Sequence, residues 1–132
     1  RVRRNTSESP RYVIVAGSSM VPLGLGSGKS VFVIVESELD AWLIWQEAGN
    51  MAGVVAMGSA SAKPDASTHD LLIRSEKILN ALDYDTAGAR AAWKFWTETY
   101  GLKVMRWPVP VGKDPSDAWQ QGLDILEWIK AG

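Results

Sequence analysis

Apolar positions along this chain fall in short uninterrupted runs, separated by longer segments with helical spacing. The clearest run is Val31–Val35, VFVIV, five apolar and mostly β-branched residues that lead straight into Glu36. Such a run predicts a strand buried on both faces. Val54–Met57 (VVAM), Lys77–Leu82 (KILNAL) and Leu102–Trp107 predict three more. Between them, Ser37 caps a predicted helix over Glu38–Ala48, with Leu39, Trp42, Leu43 and Trp45 at helical spacing. Asp65 or Ser67 caps a second helix reaching about Ser75, and Thr86 caps a long one over Ala87–Tyr100 that Gly101 ends. Short helices open at Asp114 and Asp124. Strands alternating with helices predict an α/β fold, a parallel four-stranded sheet sandwiched by helices. Ahead of it, Arg11–Ala16 and Val21–Gly28 predict a β-hairpin extension over residues 1–30, expected to add antiparallel pairing at one edge of the sheet, which leaves 31–132 as the main domain.

One glycine-rich segment invites a phosphate-loop reading and fails it. Gly24–Ser30 reads GLGSGKS, but Leu23 stands where the pattern needs its first glycine. A phosphate loop must also run into a helix amino terminus, and this one runs into the strand Val31–Val35. A turn is the better reading.

Composition narrows the classes. The 132 residues suffice for one domain with a real core, and 46% of them are apolar. A net charge of -1 argues against coating nucleic acid by bulk electrostatics. Arg1, Arg3, Arg4 and Arg11 face only Glu8 nearby and read as a solvated tail. The absence of cysteine excludes disulfides and cysteine zinc sites within the chain. No apolar run reaches membrane-spanning length, so no membrane partner is expected, and the expected compartment is the cytoplasm. A start at Arg1 rather than Met reads as a piece of a longer protein. The seven tryptophans read as packing, and His69, the single histidine, reads as a surface residue.

Chemistry concentrates where the predicted strands end. Glu36 closes the first, with Asp40 on the next helical turn; Gly58-Ser59 follow the second; Asp83 and Asp85 follow the third; Asp114 and Asp117 follow the fourth. Parallel strands bring these ends to one rim, where open α/β sheets place their ligands. In an extended segment Asp83 and Asp85 share one side of the chain. Crowded carboxylates share protons or hold divalent cations, and oxygen-only donors point to Mg2+ or Mn2+ rather than zinc. Lys113 and Arg90 border the rim as candidate phosphate contacts. Asp65, Asp70 and Asp124 read as caps and surface residues.

The order strand–Glu36, Asp40, strand–Gly58, then Asp83-Tyr84-Asp85 before a helix resembles the Toprim domain, a Rossmann-like fold. The resemblance covers roughly residues 31–118. Leu82–Ala92 (LDYDTAGARAA) and Gly112–Pro115 (GKDP) look most like bacterial replicative DNA primases and their phage or mobile-element relatives. It implies metal-dependent nucleotidyl transfer, joining ribonucleoside triphosphates into primers on a single-stranded DNA template. In that reading Glu36, Asp83 and Asp85 are catalytic, and Mg2+ (or Mn2+) binds Asp83, Asp85, Asp114, Glu36 and Asp40. Lys113 and Arg90 would then bind substrate. It further implies other domains of the same polypeptide, a zinc-binding module and a helicase-interacting region. Three positions depart from the primase pattern: Ser37 replaces a glycine, Ser116 replaces an acid with Asp117 one place later, and Ala89 replaces an arginine with Arg90 following. A Toprim nuclease and a non-catalytic nucleic-acid- or partner-binding Toprim module are the alternatives.

Overall fold

A computed structural model describes residues 2–3, 12–13, 23–83 and 87–132. Most of the predicted strand Arg11–Ala16, the cap Thr86 and the candidate ligand Asp85 lie outside the described residues. In chain order the elements are β1 (Val2–Arg3), β2 (Tyr12–Val13), β3 (Leu23–Leu25), β4 (Val31–Val35), α1 (Glu38–Ala48), β5 (Gly53–Ala56) and α2 (Ala66–Arg74). They continue with β6 (Lys77–Asn80), α3 (Ala87–Tyr100), a 3-10 turn (Gly101–Lys103), β7 (Val104–Arg106), α4 (Pro115–Gln120) and α5 (Ile125–Lys130).

The main sheet has the strand order β3-β5-β4-β6-β7, and β1 pairs antiparallel with β2 in a separate two-stranded sheet. β4 to β7 are parallel, as the alternation of strands and helices requires. β3 is the addition: it lies antiparallel along β5 with Leu23 opposite Ala56 and Leu25 opposite Val54, giving the sheet a fifth, edge strand. The glycine-rich segment forms the turn out of β3, closed by the Lys29 N–H donating to the Gly26 carbonyl. Gly26 has a φ of 85°, and a Cβ there would lie 2.8 Å from the Gly53 Cα and from the Trp45 ring. Only glycine fits that turn.

Helices cover both faces, and the central strands β4 and β5 are accordingly apolar throughout. Phe32, Ile34, Val55 and Ile78 pack with Leu72 of α2 and with Ala89, Trp96 and Tyr100 of α3. Val33, Val35, Val54 and Leu79 point the other way, to Ala41, Ile44 and Ala48 of α1 and to Ile125, Trp128 and Ile129 of α5. The face of α1 differs from the one its bulky residues predicted. Asp40, Ala41, Ile44 and Ala48 are buried, while Trp42 is 52% exposed. The small Ala41 and Ala48 let the helix axis approach the sheet, so the wide rings sit at its flanks. On α3, Trp96 is fully buried and Trp93 half-buried.

The caps follow their sequence signals. Asp65 accepts from the Thr68 N–H and Asp124 from the Glu127 N–H. His69 is half-buried rather than a surface residue, with Nδ1 2.9 Å from the Tyr100 hydroxyl, whose pKa burial pushes up to about 12. Among the described residues no helix is long and apolar enough to cross a membrane.

Candidate functional site

Because β4 to β7 are parallel, their carboxyl ends open onto one rim. The register pairs Ile34 with Asn80, so Glu36 and Asp83 follow the ends of adjacent strands, whose axes lie about 4.8 Å apart. Both residues are exposed. Backbone bonds hold their bases. The Gly58 N–H donates to the Glu36 carbonyl at 2.7 Å, tying β5 to the end of β4. Asn80, fully buried, accepts from the Leu82 N–H at 3.0 Å and so shapes the exit from β6 toward Asp83. Its Nδ2 is buried without a partner among the described residues.

Asp40 behaves differently. It is 2% exposed, and its carboxylate is engaged by protein donors on both oxygens. Oδ1 accepts from the Ser116 N–H at 2.9 Å and the Ser116 hydroxyl at 2.6 Å, while Oδ2 accepts from the Ser37 hydroxyl at 2.9 Å. Ser37 in turn caps α1 by accepting from the Asp40 N–H. Burial raises the Asp40 pKa above its ordinary value, the Ser116 bonds oppose that, and the charge of Asp114 adds to the rise. Asp40 is therefore a tether between α1 and the start of α4, not a group turned to the rim. Ser116, which stands where the primase pattern has an acid, supplies its donors.

The Gly112–Asp117 segment is held from within. Asp114 caps α4 by accepting from the Asp117 N–H at 2.8 Å, and Asp117 accepts from the Lys113 N–H at 2.9 Å. Gly112 has a φ of 77°, and a Cβ there would lie 2.6 Å from Asp117 Oδ2. The glycine is what lets the loop fold onto that carboxylate. Lys113 itself is exposed and faces a cleft of ≈ 430 Å³, which Asp83 and Arg106 also line. Arg90 lies on an exposed position of α3 and is not among the residues lining this cleft.

The structure thus brings Glu36 and Asp83 to one rim and Asp83 and Lys113 to one cleft. It sets Asp40 apart in the interior, and Asp85 lies outside the described residues. Among the described residues no group of three or more His, Cys, Asp or Glu side chains is gathered to hold a metal ion. A comparison with protein families matches residues 33–119 to the Toprim-like family, a span from β4 into α4. The chain belongs to the Toprim-like family. No curated protein matches it. Toprim domains are of the metal-binding, nucleotidyl-transfer or nuclease type. The expectation of an α/β Toprim fold therefore holds.

Three residues of this Toprim rim were missed as contributors. Arg106 carried a faint signal, a cation interrupting the predicted strand Leu102–Trp107 near its end. Asn80 carried a similar one, an amide inside an apolar run. For Ser116 no local pattern reveals a bond to a residue 76 positions away.

Proposed function

We propose that this Toprim domain carries the catalytic centre of a DNA primase-like protein, one that joins ribonucleotides on a single-stranded DNA template with the help of Mg2+ (or Mn2+). The observation that supports this most is the position of Asp83. It stands beside Glu36 on the rim and also lines a cleft with Lys113, from the primase-like Gly112–Pro115 segment.

Glu36 and Asp83, with Asp85, are the residues that would hold the ion. The donor set suits it, since Mg2+ is commonly held by one or two carboxylates together with substrate phosphates and several waters. When bound, the ion supplies charge neutralisation at phosphate oxygens. Asp40 is left out of that set because its oxygens serve Ser116 and Ser37. The chain's own contributions are then distinct. Asp40 and Ser116 fix α4, Asp114 and Asp117 fix the Lys113 loop, and Glu36 is exposed at the rim as a proton acceptor or ion-holding group. The zinc-binding and helicase-interacting regions belong to this proposal as other parts of the same polypeptide.

Mn2+ titration followed by electron paramagnetic resonance tests the metal assignment. Asp83→Asn combined with Asp85→Asn should lower Mn2+ affinity by on the order of 100-fold or more, beyond the usual cost of losing a supporting residue. Unchanged Mn2+ binding would overturn the reading and favour a non-catalytic module. Labelled ribonucleotides on a single-stranded DNA template test the reaction: the 132-residue chain alone should prime weakly or not at all, and the full-length protein should prime. DNA cleavage without ribonucleotide incorporation by the full-length protein would favour the nuclease alternative.

A further inference from the structure

One buried position of the parallel strands is polar. Of the buried polar side chains Asp40, Thr68, Ser75 and Asn80, only Asn80 lies in a strand. It is fully shielded from solvent at the last position of β6, with Ile34 of β4 and Arg106 of β7 as its register partners. Apolar side chains fill the buried positions around it, Ile78, Leu79 and Leu82. The carboxamide instead brings two polar atoms into the core. Oδ1 accepts from the Leu82 N–H at 3.0 Å, and Nδ2 is buried without a partner among the described residues. An orphaned donor in a core penalises folding, so stability alone does not account for this side chain.

What Asn80 holds is the exit toward the rim. Bonds to the neighbouring strands carry β6 as far as Ala81. The Trp107 N–H donates to the Asn80 carbonyl at 2.8 Å, and the Ala81 N–H to the Ile34 carbonyl at 2.9 Å. The next amide, that of Leu82, is taken by the Asn80 side chain instead. A side chain that accepts from the amide two residues on closes a local turn. Leu82 is itself only 2% exposed, so both ends of that bond are shielded from water. Asp83 follows directly and is exposed. The turn thus stands at the step from a buried strand to a rim carboxylate, where a small change in backbone direction displaces the carboxylate.

We propose that Asn80 is a positioning residue for the rim: through the Leu82 amide it fixes the direction in which β6 delivers Asp83, and so tunes the affinity of the rim for a divalent cation. The cation rests on the metal reading above; the direction of Asp83 rests on the Asn80–Leu82 bond alone. Asn80 touches neither ion nor substrate in this role, since it is fully buried.

Mn2+ titration of the chain by electron paramagnetic resonance, beside urea denaturation, tests the proposal. Asn80→Leu orphans the Leu82 N–H but removes the orphaned Nδ2, so the urea midpoint should move little. Mn2+ affinity should nevertheless fall by about tenfold or more, the usual cost of losing a group that orients a metal ligand. Asn80→Ser restores an acceptor for the Leu82 amide and should recover most of that affinity. Should Asn80→Leu not fold by circular dichroism, Asn80→Ala is read in its place. Unchanged Mn2+ affinity in Asn80→Leu overturns the proposal, and so does an equal loss in Asn80→Leu and Asn80→Ser. The two readings fail separately. Mn2+ binding indifferent to Asp83→Asn and Asp85→Asn removes the metal assignment, while 15N relaxation of the Asp83 amide in EDTA still reports on Asn80. Its order parameter should drop in Asn80→Leu and return in Asn80→Ser; an unchanged value overturns the positioning role.

Discussion

Asp40 and Asp83 are the same residue type near the same sheet edge, yet the fold gives them opposite circumstances. Asp40 is buried, accepts three side-chain or backbone donations from Ser116 and Ser37, and has its pKa raised by burial. Asp83 is exposed, follows the end of a strand, and lines a cleft with two cations. The difference comes from what covers each. α1 turns its buried face to the sheet and α4 closes over Asp40, whereas nothing among the described residues closes over Asp83. A rim carboxylate thus becomes buried where a neighbouring helix start packs over it, as α4 does over Asp40, and stays exposed where its strand ends at the open rim.

Removing the buried member tests this contrast most severely. Asp40→Ala leaves the Ser116 N–H and hydroxyl without their acceptor, and an orphaned buried donor costs about 1–3 kcal/mol. Urea denaturation should show a loss of about 3 kcal/mol for Asp40→Ala, whereas Glu36→Ala on the exposed rim should stay within about 0.5 kcal/mol of the parent. Equal losses from both would erase the distinction.

A smaller effect is expected in the Lys113 loop. Asp117→Ala removes the acceptor of the Lys113 N–H and should cost about 1 kcal/mol in urea denaturation. An unchanged stability would show that this bond does not hold the loop.

The pH dependence of Asp40 sharpens the contrast further. A carboxyl whose pKa is raised in the folded state takes up its proton more readily there than in the unfolded chain. The charged form therefore penalises folding above the raised pKa, and the penalty fades as the pH falls toward the ordinary value of 3.8. Wild type should gain stability relative to Asp40→Asn on acidification across that window, measured by thermal melts at stepped pH. A relative loss on acidification would mean that the Ser116 bonds outweigh burial.

Much of this was legible in the chain. The apolar runs located all four parallel strands to within a few residues, because strands covered on both faces are built largely from apolar residues, even though β6 ends in Asn80 and the edge strand β7 in exposed Arg106. Ser37, Asp65, Asp114 and Asp124 announced helix starts because a short polar side chain before a helix has one energetically favoured task there. Other details were not legible. The buried face of α1 was misjudged from its tryptophans, since hydrophobicity alone does not reveal that Ala41 and Ala48 permit the closest approach. The extension over residues 1–30 carries β3, and its antiparallel pairing with β5 fixes which edge of the sheet the extra strand takes.

The sequence by itself determined which residues end strands, which cap helices and which family the order of motifs belongs to, since each rests on neighbours a few positions apart. Only the tertiary structure decided which carboxylate is spent on packing and which faces the rim. That choice depends on contacts such as Asp40 with Ser116, 76 positions apart, and on Arg106 and Lys113 meeting Asp83 across one cleft. Local spacing carries no record of such meetings; the packing of helices against the sheet creates them.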